Sequence, residues 1–334
     1  MGERPTMVDV AELAGVSLKT VSRVVNHEAG VRPETEARVR VAVESLGYRA
    51  NDIARNLRRG RPSATIGLVI EDVRNPFYSA VARAVEQVAR DHGYVVVIAN
   101  SDEDAAAERT AVASLLERRV GGLLMVPAGR DHAYLRDEVR LGTPVVFMDR
   151  PVDSIDADEI LLDNVGGARQ AIEHLLERGH QRIAVVADSL DIVTIAERLW
   201  GYRRTVDAAG LAVDERLIRP GLHDVRAAEA ATVDLLALPD PPTAIFATNN
   251  RGCVGALRAL HLHPSERSRP ALVGFDDFEL ADLLGVTVVR HDPHEMGRQA
   301  ANLLFARLSG DESPPRRIVL PTELVVRGSE ELPA

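Results

Sequence analysis

The stretch TMVDVAELAGVSLKTVSRVVN, residues 6–26, reads as two short helices with a break between them. Thr6 followed by Asp9 has the spacing of a capping box, with Asp in the place of Glu. Val8, Leu13 and Ala14 are expected to form the apolar face of the first helix, which Gly15 ends. Ser17 is positioned to cap a second helix that turns Val21, Val24 and Val25 inward and leaves Leu18, Lys19, Ser22, Arg23 and Asn26 on its other faces. Helix, tight glycine turn and helix is the arrangement that presents the second helix to a DNA major groove. Pro33 to Leu46 supplies a third helix, with Pro33 tolerated in its first turn and Gly47 closing its end.

Downstream, YRANDIARNLRRGRPSA is polar and rich in arginine, a linker able to fold on contact with a phosphate backbone that relieves the mutual repulsion of Arg55, Arg58, Arg59 and Arg61. The chain as a whole carries a net charge of −10, which by itself argues against a nucleic-acid binder. Residues 1–61, however, hold eleven Lys or Arg against eight Asp or Glu, so a weakly basic head precedes an acidic body.

From Thr65 the pattern changes to strand, loop and helix. TIGLVI, YVVVIA, GGLLMV and PVVFMD are short, branched, continuously apolar runs that alternate with helical stretches such as SAVARAVEQVARDHG, and RIAVVA, AIFAT and ALVGF repeat the pattern later. Two similar parallel-sheet lobes follow, and ligands of such sheets bind beyond the carboxyl ends of the strands. The loops after Ile70, Met148, Ala187, Thr248 and Phe275 are therefore where a ligand is expected.

At 334 residues the chain suits a small module on a larger body, and 46% hydrophobic residues with 27% charged ones make it globular. The start, MGERPTMVDVAEL, lacks the apolar segment of a signal peptide, and no run is long enough to span a membrane, so a cytoplasmic protein is expected. The single cysteine, Cys253, excludes an internal disulfide and reads as a small buried residue. No GxGxxG or GxxxxGK phosphate loop, HExxH or GxSxG is present. His174 with His180, and His261 with His263, lack a third ligand. An enzyme, a cofactor and a metal site are accordingly not expected, and a transporter's solute-binding protein fails for want of a signal peptide and because of the helical head.

VAELAGVSLKTVSRVVN, then ARNL in the linker, VRNPFYS after the first strand, and TNN and VGFDD near the end occur in one order along essentially the whole chain. In this the sequence resembles the LacI/GalR family of bacterial transcription regulators. The resemblance implies an α/β chain with an all-α helix-turn-helix head (1–50), a hinge helix and linker (51–62) and a two-lobed body like a periplasmic binding protein (63–334). Its N-lobe would span about 63–162 and 292–319, and its C-lobe about 163–291 and 320–330. It implies a repressor whose affinity for a palindromic double-stranded operator is switched by a small-molecule effector, with a sugar as the leading class.

Carried onto this sequence, the resemblance puts base recognition on Leu18, Lys19 and Arg23, Lys19 being the only lysine in the chain. Thr6, Ser17, Thr20, Ser22 and Asn26 fix phosphates or caps; Tyr48 touches the DNA backbone or packs behind Gly47. In the hinge, Asn51 and Ala54 join Leu57, the residue aligned with a leucine wedged into the minor groove. Arg32 and Pro33 stand where relatives open the third helix with a small hydroxyl residue. Effector contacts fall on Asn75, Phe77, Asp149, Arg198, Asn249 and Asp276. Each has a plainer reading: Asp276 or Asp277 as a cap for a helix from Phe278, Asn249 as a helix cap, Arg198 as a partner of Glu197. Asn250 stands where many relatives carry Asp, His291 lies near the last cleft segment, and Leu222 or His223 falls where some relatives have a ring-stacking Trp. Trp200 is expected to be buried packing. A homodimer is expected, since one recognition helix covers only a few base pairs; a tetramer stays open, although GSEELPA carries no heptads.

Overall fold

A computed structural model describes residues 5–26, 28–48, 64–262 and 270–330. The chain divides into two compact units, Met1–Ser63 and Ala64–Ala334. In the first unit, helices α1 (Met7–Ala14), α2 (Leu18–Val25) and α3 (Pro33–Leu46) close over a core of Val10, Ala11, Ala14, Val21, Val24, Val39 and Ala42. Thr6 and Asp9 do form a capping box: the Thr6 hydroxyl oxygen accepts from the Asp9 amide, and the Thr6 amide donates to the Asp9 carboxylate at 2.6 Å. Gly15 takes φ 61°, the left-handed turn that lets its amide reach the Glu12 carbonyl and the Val16 amide reach that of Ala11.

One expectation fails here. Val8 and Leu13 are 52% and 58% exposed, and Val10 and Ala11 take the inward face. At 100° per residue, positions 8 and 13 lie on different sides of a helix, whereas 7, 10, 11 and 14 share one.

The second unit holds two six-stranded sheets. In the first, β11 (Arg317–Leu320), β5 (Asp158–Leu162), β4 (Val145–Asp149), β3 (Leu123–Met125), β1 (Thr65–Ile70) and β2 (Val95–Asn100) lie side by side in that order, all parallel. The second runs β12 (Glu323–Val325), β10 (Thr287–Arg290), β9 (Ala271–Phe275), β8 (Ala244–Ala247), β6 (Ile183–Val186) and β7 (Ile218–Arg219). The sheets are not parallel throughout: β12 runs antiparallel to β10, because the chain returns to this lobe in a single step from β11. Leu320, placed with the C-lobe from sequence, completes β11 and packs into the N-lobe core.

Alternation sorts the side chains of each sheet. Ile66, Leu68 and Ile70 of β1 meet α4 (Pro76–Asp91) and α11 (Pro293–Leu308), while Val69 faces α5 (Ala105–Glu117). Each such fully buried side chain contributes roughly 1.5–3 kcal/mol relative to exposure. Gly297 brings α11 onto α4 at backbone distance; a Cβ there would stand 2.4 Å from the Val81 carbonyl oxygen. After the short α6 (Arg136–Arg140) of the N-lobe, α7 (Asn164–Glu177) and α8 (Val193–Ala208) cover one face of the C-lobe sheet, and α9 (Val225–Leu236) and α10 (Asn250–Leu262) the other.

β2, expected as a buried strand, is an edge strand that leaves Val95 65% exposed, with Val97 and Ile98 also at the surface. Trp200 is likewise half-exposed rather than buried, and its ring carries the Arg204 guanidinium at 4.7 Å. Residues 279–285 form turns, so no helix starts at Phe278; the Asp277 carboxylate accepts from the Phe278 amide and pairs with Arg327. Cys253 is fully buried, and burial pushes its thiol up to about 12.

Candidate functional site

The head presents one polar surface. Ser17 caps α2, its hydroxyl accepting from the Thr20 amide at 3.2 Å. Val21 and Val24 are drawn into the core, so Leu18, Lys19 and Arg23 are left exposed, Lys19 and Arg23 one turn apart. Neither cation forms an ion pair with a described residue. Thr20, Ser22 and Asn26 are half-buried, Asn26 donating to the Ser22 hydroxyl at 3.2 Å. Tyr48 is half-buried against the head core. Arg32 occupies the N-cap of α3 without a side-chain cap bond. Asn51, Ala54 and Leu57 lie outside the described residues.

In the body, the loops after β1, β4, β6, β8 and β9 converge on one cleft, and Asn75, Phe77, Asp149, Arg198, Asn249 and Asp276 all line the same cavity. Asp149 and Asp276 hold equivalent places, Asp149 ending β4 and Asp276 following β9, and both take left-handed backbone, φ 69° and 70°. Such a residue costs on the order of 1–3 kcal/mol, and strain of this kind concentrates at ligand clamps.

Asp276 accepts from His291 Nε2 at 3.0 Å and lies 3.4 Å from Arg198 Nη1. Burial pushes its carboxyl up, but Arg198 and His291 outweigh that and hold it below the usual carboxylate range. Arg198 is itself fixed on three sides: Nε donates to Asn164 Oδ1 at 2.9 Å, Nη1 to the Thr248 carbonyl at 2.7 Å, and the guanidinium stacks 3.6 Å from the Phe275 ring centre. It does not pair with Glu197, whose carboxylate instead accepts from Asn164 at 2.8 Å. Asn249 does cap α10, its Oδ1 accepting from the Gly252 amide at 2.7 Å, and its other end reaches Asp188 at 3.4 Å. Phe77 sets its ring edge-on to His291, 5.0 Å between centroids.

Several cavity residues escaped sequence reading. Arg150, almost fully buried, donates to Glu103 and to the Pro127 carbonyl, and Tyr78 donates to Asp149 at 3.2 Å. Asp102 and Glu103 are both left-handed, φ 49° and 61°, which turns the Glu103 carboxylate toward the cleft. The Asp-Arg pair closing PVVFMDR was the available signal for Arg150; nothing local marks Glu103. Glu71 lies at the far wall, and burial pushes its carboxyl up to about 7 despite Arg251 beside it. Leu222 packs on the C-lobe core, and His223 pairs with Asp188 at 2.7 Å. No group of three His, Cys, Asp or Glu among the described residues is placed to hold a metal, and no described helix is long and apolar enough to cross a membrane.

A helix-turn-helix with exposed cations, carried by a chain whose body brings the strand ends of two sheets to one cleft, is the build of a DNA-binding regulator that answers a small molecule. Residues 6–51 match the family described as bacterial regulatory proteins, lacI family, and residues 63–327 match periplasmic binding proteins and sugar binding domain of LacI family. The regulator CelR of Thermobifida fusca is 36% identical over 98% of both chains, and the ribose operon repressor of Escherichia coli 33% identical over 97% of this chain and 99% of its own. Among solved structures, the lac repressor dimer bound to operator and an anti-inducer superposes with TM-score 0.84 at 28% identity, over 98% of this chain and 100% of that one. A CelR–cellobiose complex gives 0.71 at 34%, with the same coverage. The chain belongs to the lacI family. It is a DNA-binding transcription regulator and repressor under the control of a small-molecule effector, not an enzyme, and its partners are operator DNA, the effector and a second copy of itself.

Proposed function

We propose that this repressor is switched in the cytoplasm by a sugar or sugar derivative held between the lobes by Asn75, Phe77, Asp149, Arg198, Asn249 and Asp276. The observation that carries the reading is the convergence of those six side chains on one cavity from both sheets. Carboxylates and amides suit hydroxyl groups, the Arg198 fork suits two neighbouring oxygens, and Phe77 offers an apolar wall to a ring. The ribose repressor and the CelR–cellobiose complex name sugars, which supports the class. Effector binding shifts the balance between lobe arrangements, moving as bodies about 64–162 with 292–320 and 163–291 with 321–330, and operator affinity follows through linkage.

In the head, Leu18, Lys19 and Arg23 read bases, and a bidentate contact from either cation to guanine discriminates by roughly 1–3 kcal/mol. Thr6, Ser17, Thr20, Ser22, Asn26 and Tyr48 hold the phosphate backbone. Asn51 and Ala54 support Leu57 as a minor-groove wedge that two subunits supply together. The exposed apolar edge formed by Val95, Val97 and Ile98, and the exposed Leu280, Leu283 and Leu284, are surfaces for the second copy.

Gel-shift titration with fragments of the protein's own promoter region, with and without a panel of sugars, tests the reading. A sequence-specific shift that one sugar strengthens or releases is expected; a shift unaffected by every sugar sinks the effector class. Leu57→Ala is expected to weaken operator binding at least tenfold while leaving binding to random DNA intact, and equal loss on both overturns the wedge.

A further inference from the structure

Two side-chain bridges cross the cleft between the lobes. Arg251, in the first turn of α10, donates from Nη1 to Glu71 Oε1 and from Nη2 to Asp72 Oδ2, each at 2.8 Å. Asn250 donates to Asn75 Oδ1 at 2.9 Å. Asp72 is set for its part by its own lobe: its Oδ1 accepts from the Arg74 amide at 2.9 Å and from Arg74 Nε at 3.0 Å, which leaves Oδ2 for Arg251. Arg74 also holds the Asp72 carboxyl below the usual carboxylate range, so this arm of the clasp joins two full charges. Glu71, which burial pushes up to about 7, strengthens the other arm once it ionises.

The strand order makes this clasp the contact that feels lobe opening most. The chain passes between lobes after β5, β10 and β11, at one edge of each sheet, whereas Glu71 and Asp72 follow β1, three strands from β5, and Arg251 follows β8, two strands from β10. Neighbouring strands lie about 4.8 Å apart, so the clasp stands about 14 Å from the crossing at β5, and a rotation of about 10° there parts its members by about 2.5 Å. That is enough to break both bonds of Arg251.

The clasp shares its two loops with the proposed effector contacts. Asn249, Asn250 and Arg251 are consecutive, and Glu71 and Asp72 lead directly into Asn75. Asn75 and Asn249 cap α4 and α10, their Oδ1 atoms accepting from the Phe77 and Gly252 amides. A ligand bonded to both asparagines draws together the same two loops that Arg251 joins.

We infer that the Arg251 clasp on Glu71 and Asp72 is a lobe latch that works in the same direction as the effector: it favours the closed arrangement, slows the effector's departure and sets the lobe balance on which operator affinity depends. The inference rests on the reading of this cleft as the effector site, and not on the effector being a sugar. Because latch and effector favour one arrangement, loss of the latch moves operator affinity opposite to the way the effector moves it.

The first test needs no ligand. Hydrogen exchange of the full-length protein is followed at pH 8, where Glu71 is ionised. Arg251→Met is expected to speed exchange about fivefold in residues 74–79, on the lobe that does not carry the substitution. Asp72→Asn keeps an oxygen for Arg74 but turns an amide donor toward Arg251, and is expected to do the same in residues 250–254. The two changes combined should do no more than either alone, as for two members of one contact. Arg251→Lys, which reaches only one carboxylate, falls between. Faster exchange confined to the substituted lobe, or effects that add, overturns the latch.

The second test takes whichever of D-ribose, D-glucose, D-galactose and cellobiose raises the Tm of the unmodified protein. Stopped-flow dissociation of that sugar is expected to be about fivefold faster from Arg251→Met, and a gel shift without sugar should show operator affinity displaced opposite to the effect of that sugar. An unchanged dissociation rate, or a displacement in the same direction as the sugar's, overturns the latch. If none of the four binds, the sugar reading loses its support while hydrogen exchange still decides the latch.

Discussion

The two lobes carry the same sheet order and end corresponding strands on an aspartate in left-handed backbone, yet they treat buried acid in opposite ways. On the C-lobe side, Asp276 has Arg198 and His291 against it and is held below the usual carboxylate range. On the N-lobe side, burial pushes Glu71 up to about 7, with Glu103 adding to the rise and Arg251 and Arg150 only partly opposing it. A repeated fold thus supplies two sockets at matching places, and the charges nearby decide what each can hold. The C-lobe socket is neutralised from within, whereas the N-lobe wall draws on the opposite lobe's Arg251 in addition to its own Arg74 and Arg150.

The largest effect expected from breaking this contrast lies in the C-lobe. Arg198→Met removes a buried cation and leaves Asp276 without its main partner, a change that costs roughly 3–5 kcal/mol when one member of a buried pair is lost. Urea unfolding of the isolated variant should show a midpoint shift of that size, together with loss of any effector response in operator binding. A loss below about 1 kcal/mol would mean that the three anchors of Arg198 contribute little and that the socket is not internally balanced.

The second effect is a pH dependence of opposite sign in the two lobes. For Glu71 the folded carboxyl titrates near 7 against an ordinary 4.5, so between those values the folded chain binds a proton that the unfolded chain has released. Its contribution to stability is full below about pH 4.5 and declines as pH rises toward 7, by on the order of 3 kcal/mol at most. Asp276 runs the other way: its contribution is present above its ordinary value of 3.8 and fades as pH falls through its lowered folded value. Glu71→Gln should therefore flatten the decline in the urea midpoint between pH 4.5 and 7 and leave the acid limb of the curve in place. An unchanged slope across that window rules out Glu71 as its source.

How much of this was legible in the sequence follows the distance over which each residue finds its partners. The head was readable nearly residue by residue, since Thr6 with Asp9, Ser17 with Thr20, and Gly15 with Glu12 all settle within one helical turn. The inward face of α1 is the exception, because Val8 and Leu13 are apolar yet fall outside the stripe that Val10, Ala11 and Ala14 form. The resemblance places six residues, in strand-end loops or on the helices that follow them, and all six line one cavity. The charge balance around them was not legible: Arg251 meets Glu71 180 positions away and Arg150 meets Glu103 47 positions away, and no local pattern encodes such pairings. Nor does composition tell an edge strand from a central one, which is why VVVIA read as core, or tell whether Trp200 faces a helix or solvent.

The smallest effect separates the two aspartates themselves. Asp149 receives one ordinary hydrogen bond, from Tyr78 at 3.2 Å, with Arg150 Nε at 3.6 Å. Its left-handed backbone costs roughly 1–2 kcal/mol, which glycine does not incur. A net hydrogen bond is worth about 1 kcal/mol, so in Asp149→Gly the relief of strain and the lost contact nearly cancel. Effector-free stability should stay within about 1 kcal/mol. Asp276→Gly recovers the same backbone strain but strands Arg198 and leaves His291 without its acceptor, so it should lose several times more. Both are read from urea midpoints at pH 7 in the absence of sugar. If Asp149→Gly proves as costly as Asp276→Gly, the lobes share more than their topology, and Asp149 belongs to a balanced buried pair as its counterpart does.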